Sequence, residues 1–132
     1  MLFEFLIPKR PLSFQASRRN LQIWKKFVST EAGKTWMGTP HNSSNLHLTL
    51  AYLYSDAPVD VDNIIKPIQD ALAGLIYDDD VLISDVESHR RSLTSIVEIA
   101  KYPDLLVEGI LSGKECVYVR VADSRPLEDY LS

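Results

Sequence analysis

Leu46-His47-Leu48-Thr49-Leu50-Ala51-Tyr52-Leu53-Tyr54 is the stretch from which the rest of the chain can be laid out. Leucine or tyrosine stands at every even position, with His47, Thr49, Ala51 and Leu53 between, the period-two pattern of a strand with one face on a core. After Asp56-Ala57-Pro58 the period changes. Ile64, Ile65, Ile68, Ala71, Leu72 and Leu75 recur at about 3.6 residues and mark the buried side of a helix. Asp62, Lys66, Gln69 and Asp70 fall on its other side, in one polar stripe. Val81-Leu82-Ile83 then resumes an apolar run, as at a turn entering a further strand.

Pro67 interrupts this helix in principle, because proline lacks an N–H and disfavours helical geometry at Lys66 before it. The helix is expected to start late or bend there. Residues 85–91 alternate without a strongly apolar face, so their strand should be partly exposed or lie beside a polar site. His47 lies on the less apolar face of its own strand. A metal ligand could sit there, but no second histidine has ligand-like spacing to it, and ordinary packing is the expectation.

Toward the N-terminus, residues 2–7 are mostly apolar and stop at Pro8, as in a first strand that runs into a loop. From Ser17 the pattern turns helical. Leu21, Trp24, Phe27 and Val28 recur at three and four residues, with Arg18, Arg19, Gln22, Lys25 and Lys26 at other positions. Trp24, on the apolar stripe, is expected in the core, whereas Trp36 falls near a loop. Toward the C-terminus the pattern suggests a strand over residues 95–100, a short helix over 103–111 and a last strand over 116–121. The tail from Asp123 is polar and expected to be peripheral.

A chain of 132 residues fits one domain, residues 1–132, able to bury a core without covalent staples. Its one cysteine, Cys116, cannot form an internal disulfide. The apolar start meets Pro8-Lys9-Arg10 too soon for a signal peptide or a membrane span, so a cytoplasmic protein without membrane attachment is the expectation. The net charge of −4 argues against a strongly basic nucleic-acid binder. That total hides an asymmetry, since residues 1–50 carry a net +5 and residues 51–132 a net −9.

The chemistry concentrates between Asp60 and Asp80. Asp60-Val61-Asp62-Asn63, Lys66, Asp70 and Asp78-Asp79-Asp80 all fall within this window. Residues two apart in an extended segment project from the same face, so Asp60 and Asp62 should converge. A few aspartates from two nearby segments are what a hard cation such as Mg²⁺ requires, since it takes oxygen ligands and keeps several waters. Hydrolysis of a phosphodiester needs an activated water, charge stabilisation and help for the leaving oxygen, all of which a divalent metal can supply. On this reading Asp60, Asp62 and Asp80 bind the metal directly or through water. Lys66, four residues from both Asp62 and Asp70, can pair with either or reach a phosphate.

The stretch Asp60-Val61-Asp62-Asn63-Ile64-Ile65-Lys66-Pro67-Ile68-Gln69-Asp70-Ala71-Leu72, followed by Gly74 and Tyr77-Asp78-Asp79-Asp80, resembles the RusA-type Holliday junction resolvases. These are Mg²⁺-dependent crossover junction endodeoxyribonucleases of DNA recombination and repair. The resemblance is specific over residues 58–86 and looser in the N-terminal basic segment and the helix after it. It implies that Asp60, Asp62 and Asp80 are the metal-binding and catalytic acids and Lys66 the catalytic lysine, with Mn²⁺ able to replace Mg²⁺. Asp79 matches the penultimate acid of the family's pair, and because the extra Asp78 leaves two registers open, Asp79 is the other choice for the third ligand; Asp70 matches a helix residue more structural than catalytic. The resemblance further implies an α+β fold, a small mixed β-sheet packed with two to three α-helices in a single domain. It also implies a homodimer, which suits two symmetric cuts in a four-way DNA junction. Phosphate contacts are then expected from Lys9, Arg10, Arg18, Arg19, Lys25, Lys26, His89, Arg90 and Arg91. Two alternatives stand beside this reading. One is a noncatalytic RusA-like nucleic-acid-binding module whose acids serve as caps and ion pairs; the other is a metal-dependent nuclease acting on other branched or flap DNA.

Overall fold

A computed structural model describes residues 1–96 and 98–132. In chain order the elements are β1 (Leu2–Ile7), α1 (Arg18–Gly33), β2 (Leu46–Tyr54), α2 (Ile65–Leu72), β3 (Ile83–Ser92), α3 (Asp104–Ser112), β4 (Cys116–Asp123) and α4 (Leu127–Tyr130). The four strands form one mixed sheet in the order β1-β4-β2-β3, in which β2 and β3 run parallel and the other pairs antiparallel. This is the α+β architecture expected from the resemblance. A fourth helix, a single turn, is added near the C-terminus.

The alternation in β2 decides which face is covered. Leu46, Leu48, Leu50 and Tyr52 are fully buried together with Ile7 of β1 and Val117, Val119 and Val121 of β4, and Phe5 of β1 is buried beside them. Against them α1 sets Trp24, Val28 and Ala32, and α2 sets Ile68 and Leu72, all in one hydrophobic cluster. Trp24 is a core residue, 4% exposed, and Trp36 packs at the margin of the core, edge-on to Phe3 with ring centroids 5.1 Å apart. The start of α1 is capped by Ser17, whose hydroxyl accepts the amide of Asn20 at 3.2 Å.

Helix α2 begins at Ile65, so Pro67 is its third residue. Amides in the first turn have no partner within the helix, so the missing N–H costs no hydrogen bond and the helix does not break; it does start late, and Asp62, expected on its polar side, lies in the turn before it. It ends at Leu72, earlier than the apolar period suggests, and Leu75 belongs to the turn beyond. Gly74 sits there at φ +86°, and its amide donates to the Tyr77 carbonyl at 2.7 Å. The chain doubles back and is pinned by two backbone bonds, from the His41 amide to the Ile76 carbonyl and from the Asp78 amide to the His41 carbonyl, both 2.9 Å. Tyr77 is fully buried, and its hydroxyl donates to the Gln69 carbonyl of α2 at 2.6 Å. Residues 78–80 are thereby returned to the polar side of α2.

The opposite face of the sheet is covered in part by α3. Gly109 lets that helix come close, since a Cβ there would stand 3.0 Å from the Cys116 sulfur and 3.1 Å from Leu6. No strand forms over the described part of residues 95–100. A 3-10 turn, Leu93–Ser95, follows β3 instead, and Val97 lies outside the described residues. Hydroxyls compete for the backbone at this point: Ser92 accepts the Thr94 amide at 3.3 Å and Ser95 donates to the Ser92 carbonyl at 2.9 Å. The polar tail is not wholly peripheral either, because the Tyr130 hydroxyl lies 3.2 Å from Nδ1 of His47 and the two rings meet edge to face.

Candidate active site

The acidic segment leaves β2 through a strained turn. Ala57 holds φ at +42°, a left-handed value that favours glycine, and Arg10 spans the turn by donating to the carbonyls of Asp56 at 3.0 Å and Ala57 at 2.5 Å. Glu115 secures the same corner. Its carboxylate accepts the Ser55 amide at 2.9 Å and lies 3.4 Å from Arg10. Burial would raise the Glu115 pKa, but the amides of Ser55 and Asp56 and the Arg10 charge outweigh it and hold the carboxyl below its ordinary range.

Beyond the turn, the loop runs along the outer edge of β3. Ser88 donates to the Val61 carbonyl at 2.6 Å and Arg90 to the Val59 carbonyl at 3.1 Å. Two side chains thus occupy the main-chain acceptors, and the carboxylates stay outside. Asp60 and Asp62 line one open hollow of about 420 Å³ with Val61, Ser88, His89, Arg90 and Arg91. Asp60 is 73% exposed and stands 3.7 Å from the Arg90 guanidinium.

The second half of the site is built on α2. The Lys66 ammonium donates to Asp80 at 2.7 Å and lies 2.9 Å from Asp70, one turn further along the helix. Asp70 in turn lies 3.6 Å from Lys25, which reaches across from α1. Hydrogen bonds from Lys66 to Asp80, then to Asp70, push the lysine pKa up. Lys66 first and the Asp79 side chain second hold the Asp80 carboxyl below its usual range. The three consecutive aspartates have separate tasks. Asp79 accepts the Val81 amide at 3.2 Å and caps the 3-10 turn Asp80–Leu82, Asp80 faces Lys66, and Asp78 is exposed.

The expected phosphate contacts divide into three groups. His89, Arg90 and Arg91 border the hollow with Asp60 and Asp62. Arg18, Arg19 and Lys26 are exposed on α1, and the Lys9 ammonium sits 4.9 Å over the Phe27 ring. Arg10 and Lys25 are engaged internally, by the Asp56–Ala57 turn and by Asp70. His47 is 6% exposed and packs between Glu87, at 3.2 Å, and Tyr130. Sequence reasoning passed over Ser88 and Glu115. Both act on main-chain groups of residues remote in sequence, and no local pattern marks that.

Among the described residues, no group of three or more His, Cys, Asp or Glu side chains is drawn close enough to hold a metal ion. The donor chemistry nevertheless suits a hard cation: Asp60 and Asp62 share a hollow, and Asp80 is an exposed-side carboxylate on the neighbouring element. Asp60 leans on Arg90 and Asp80 on Lys66, so ligation requires both to exchange partners.

A family model described as endodeoxyribonuclease RusA matches residues 18–100, more than half of the chain. The chain belongs to that family. The matched region runs from the start of α1 past the end of β3 and contains Asp60, Asp62, Lys66 and Asp80. The family's description is that of an endodeoxyribonuclease, an enzyme that hydrolyses phosphodiester bonds within DNA. No curated protein matches the chain. Among the described residues no helix is long and apolar enough to cross a membrane.

Proposed function

We propose that this RusA-family protein is a divalent-metal-dependent endodeoxyribonuclease that resolves Holliday junctions by paired phosphodiester hydrolysis, acting as a homodimer. The observation that carries the reading is the meeting of Lys66 and Asp80 at 2.7 Å across fourteen residues of chain, while Asp60 and Asp62 share a hollow with Arg90 and Arg91. Asp60, Asp62 and Asp80 would hold Mg²⁺, or Mn²⁺ in its place, which supplies an activated water and charge neutralisation at the phosphoryl group. Arg90 and Arg91 offer positive charge on the same rim, with His89 beside them as a ring hydrogen-bonding group, and suit the entering DNA backbone. Lys66, freed from Asp80, presents a compact cation to the scissile phosphate. Two symmetric cuts need two sites related by a twofold axis, which a homodimer supplies.

The test is cleavage of matched four-way junction, flap and linear duplex substrates by purified protein with Mg²⁺. Cutting confined to the junction is expected, and Asp62→Asn should abolish it while junction binding persists. Equal cutting of all three substrates would remove junction resolution. A second reading draws on the absence of a converged three-carboxylate group among the described residues: a noncatalytic module that binds junctions through the same rim. Wild-type protein that binds junctions but never cuts them with Mg²⁺ or Mn²⁺ would establish that reading instead.

A further inference from the structure

Asp70 divides its two carboxylate oxygens between two lysines. Oδ1 lies 2.9 Å from the Lys66 ammonium, and Oδ2 lies 3.6 Å from the Lys25 ammonium. The first pair is one helical turn apart on α2, the spacing at which side chains meet on a helix face. The second joins α2 to α1, two elements locked by the core through Trp24, Val28, Ile68 and Leu72. Asp70 is also the best covered of the four charged groups involved, 26% exposed against 48% for Lys66 and 34% for Asp80.

A lysine carries its charge on a flexible four-carbon stem, and its ammonium goes where its partners hold it. Lys66 has two partners of different kind. Asp80 belongs to a one-turn 3-10 segment, while Asp70 is rooted in the same helix and gripped from behind by Lys25. Whenever Asp80 turns to another partner, Asp70 is the group that keeps the ammonium on station. We propose that Asp70, clamped by Lys25, is a positioning residue of the nuclease site that holds the Lys66 ammonium where the scissile phosphate arrives. The proposal rests on the nuclease reading and gives a role to a side chain that motif comparison treats as structural.

Exposed ion pairs contribute little to stability, so the expected signature lies in turnover, not in melting. Asp70→Asn should keep the wild-type fold and bind junction DNA at least as tightly. Its kcat should fall on the order of tenfold to a hundredfold, the scale on which a misplaced catalytic group slows a reaction. Asp70→Glu, which still reaches Lys66, should recover most of the loss, and Lys25→Gln should lower kcat by a smaller factor. A second arm needs no turnover: in protein with ¹⁵N-labelled lysine, Lys66 ammonium order measured by NMR relaxation should drop in Asp70→Asn and return in Asp70→Glu. Asp70→Asn protein that cuts at the wild-type kcat, or that keeps Lys66 as ordered as before, overturns the proposal. Should the wild type cut no DNA, the nuclease reading falls by that result, and the ammonium order alone then decides whether Asp70 positions Lys66.

Discussion

Lys66 is bonded at once to a carboxylate on its own helix and to one fourteen residues away, and each had a different legibility. The pairing with Asp70 follows from four-residue spacing on a helix. The pairing with Asp80 does not, because it exists only after the chain has reversed behind α2. The same contrast separates Arg10 from Arg91. Both are loop- or edge-borne arginines in sequence, yet Arg10 is consumed by the Asp56 and Ala57 carbonyls while Arg91 borders the acidic hollow. Glu115 shows what such a corner does for stability. Its pKa is depressed in the fold, so the stabilisation is complete above the ordinary glutamate range, about 4.3, and is lost as pH falls through the lower folded value. Glu115→Gln is expected to lower stability at neutral pH by about 1 kcal/mol, with the difference from wild type closing below that range in denaturant melts taken across pH.

The α2 helix and the turn behind it form the working element. Pro67, which threatens a helix interior, is harmless in the first turn, so Lys66 and Asp70 keep helical spacing. Gly74 then reverses the chain at φ +86° and delivers Asp80 to Lys66. Space is not the reason for glycine here, since nothing lies within 4 Å of where a Cβ would sit. The left-handed backbone is. Gly74→Ala should cost about 1 to 2 kcal/mol in denaturant melts and reduce cleavage by loosening Asp80, without changing the bulk secondary structure by circular dichroism. Over the described part of residues 95–100 no strand forms, for a local reason as well: just after β3, the Ser92 and Ser95 hydroxyls engage the Thr94 amide and the Ser92 carbonyl and turn the chain.

For the molecule as a whole, the acidic total of −4 is less telling than where the charges lie. Asp70 and Asp80 are answered by Lys25 and Lys66, Asp60 by Arg90, and Glu115 by Arg10, so much of the acidity near the site is internally matched. Exposed cations remain on α1 and along β3. DNA affinity should therefore fall steeply with salt, and replacing Arg91 by alanine should reduce the slope of log affinity against log salt by about 0.9, the share of one phosphate contact. Arg10→Ala should leave that slope unchanged and lower thermal stability instead. Filter binding across a salt series separates the two, and an equal loss of slope in both variants would contradict the assignment of Arg10 to the Ala57 turn.

The order strand, helix, strand with its apolar faces, the core place of Trp24 and the pairing of Lys66 with Asp70 were all readable from the chain, because they depend on periods of two and about 3.6 residues and on short spacings. The resemblance carried the fold class further than periodicity could. Strand order, the clamp of Lys25 on Asp70, the seating of the Val59–Val61 loop on β3 by Arg90 and Ser88, and the return of Asp80 to Lys66 were decided only in three dimensions. Each joins residues whose separation along the chain bears no relation to their distance in space, so that relation is set by how the sheet and helices bury their shared apolar surface.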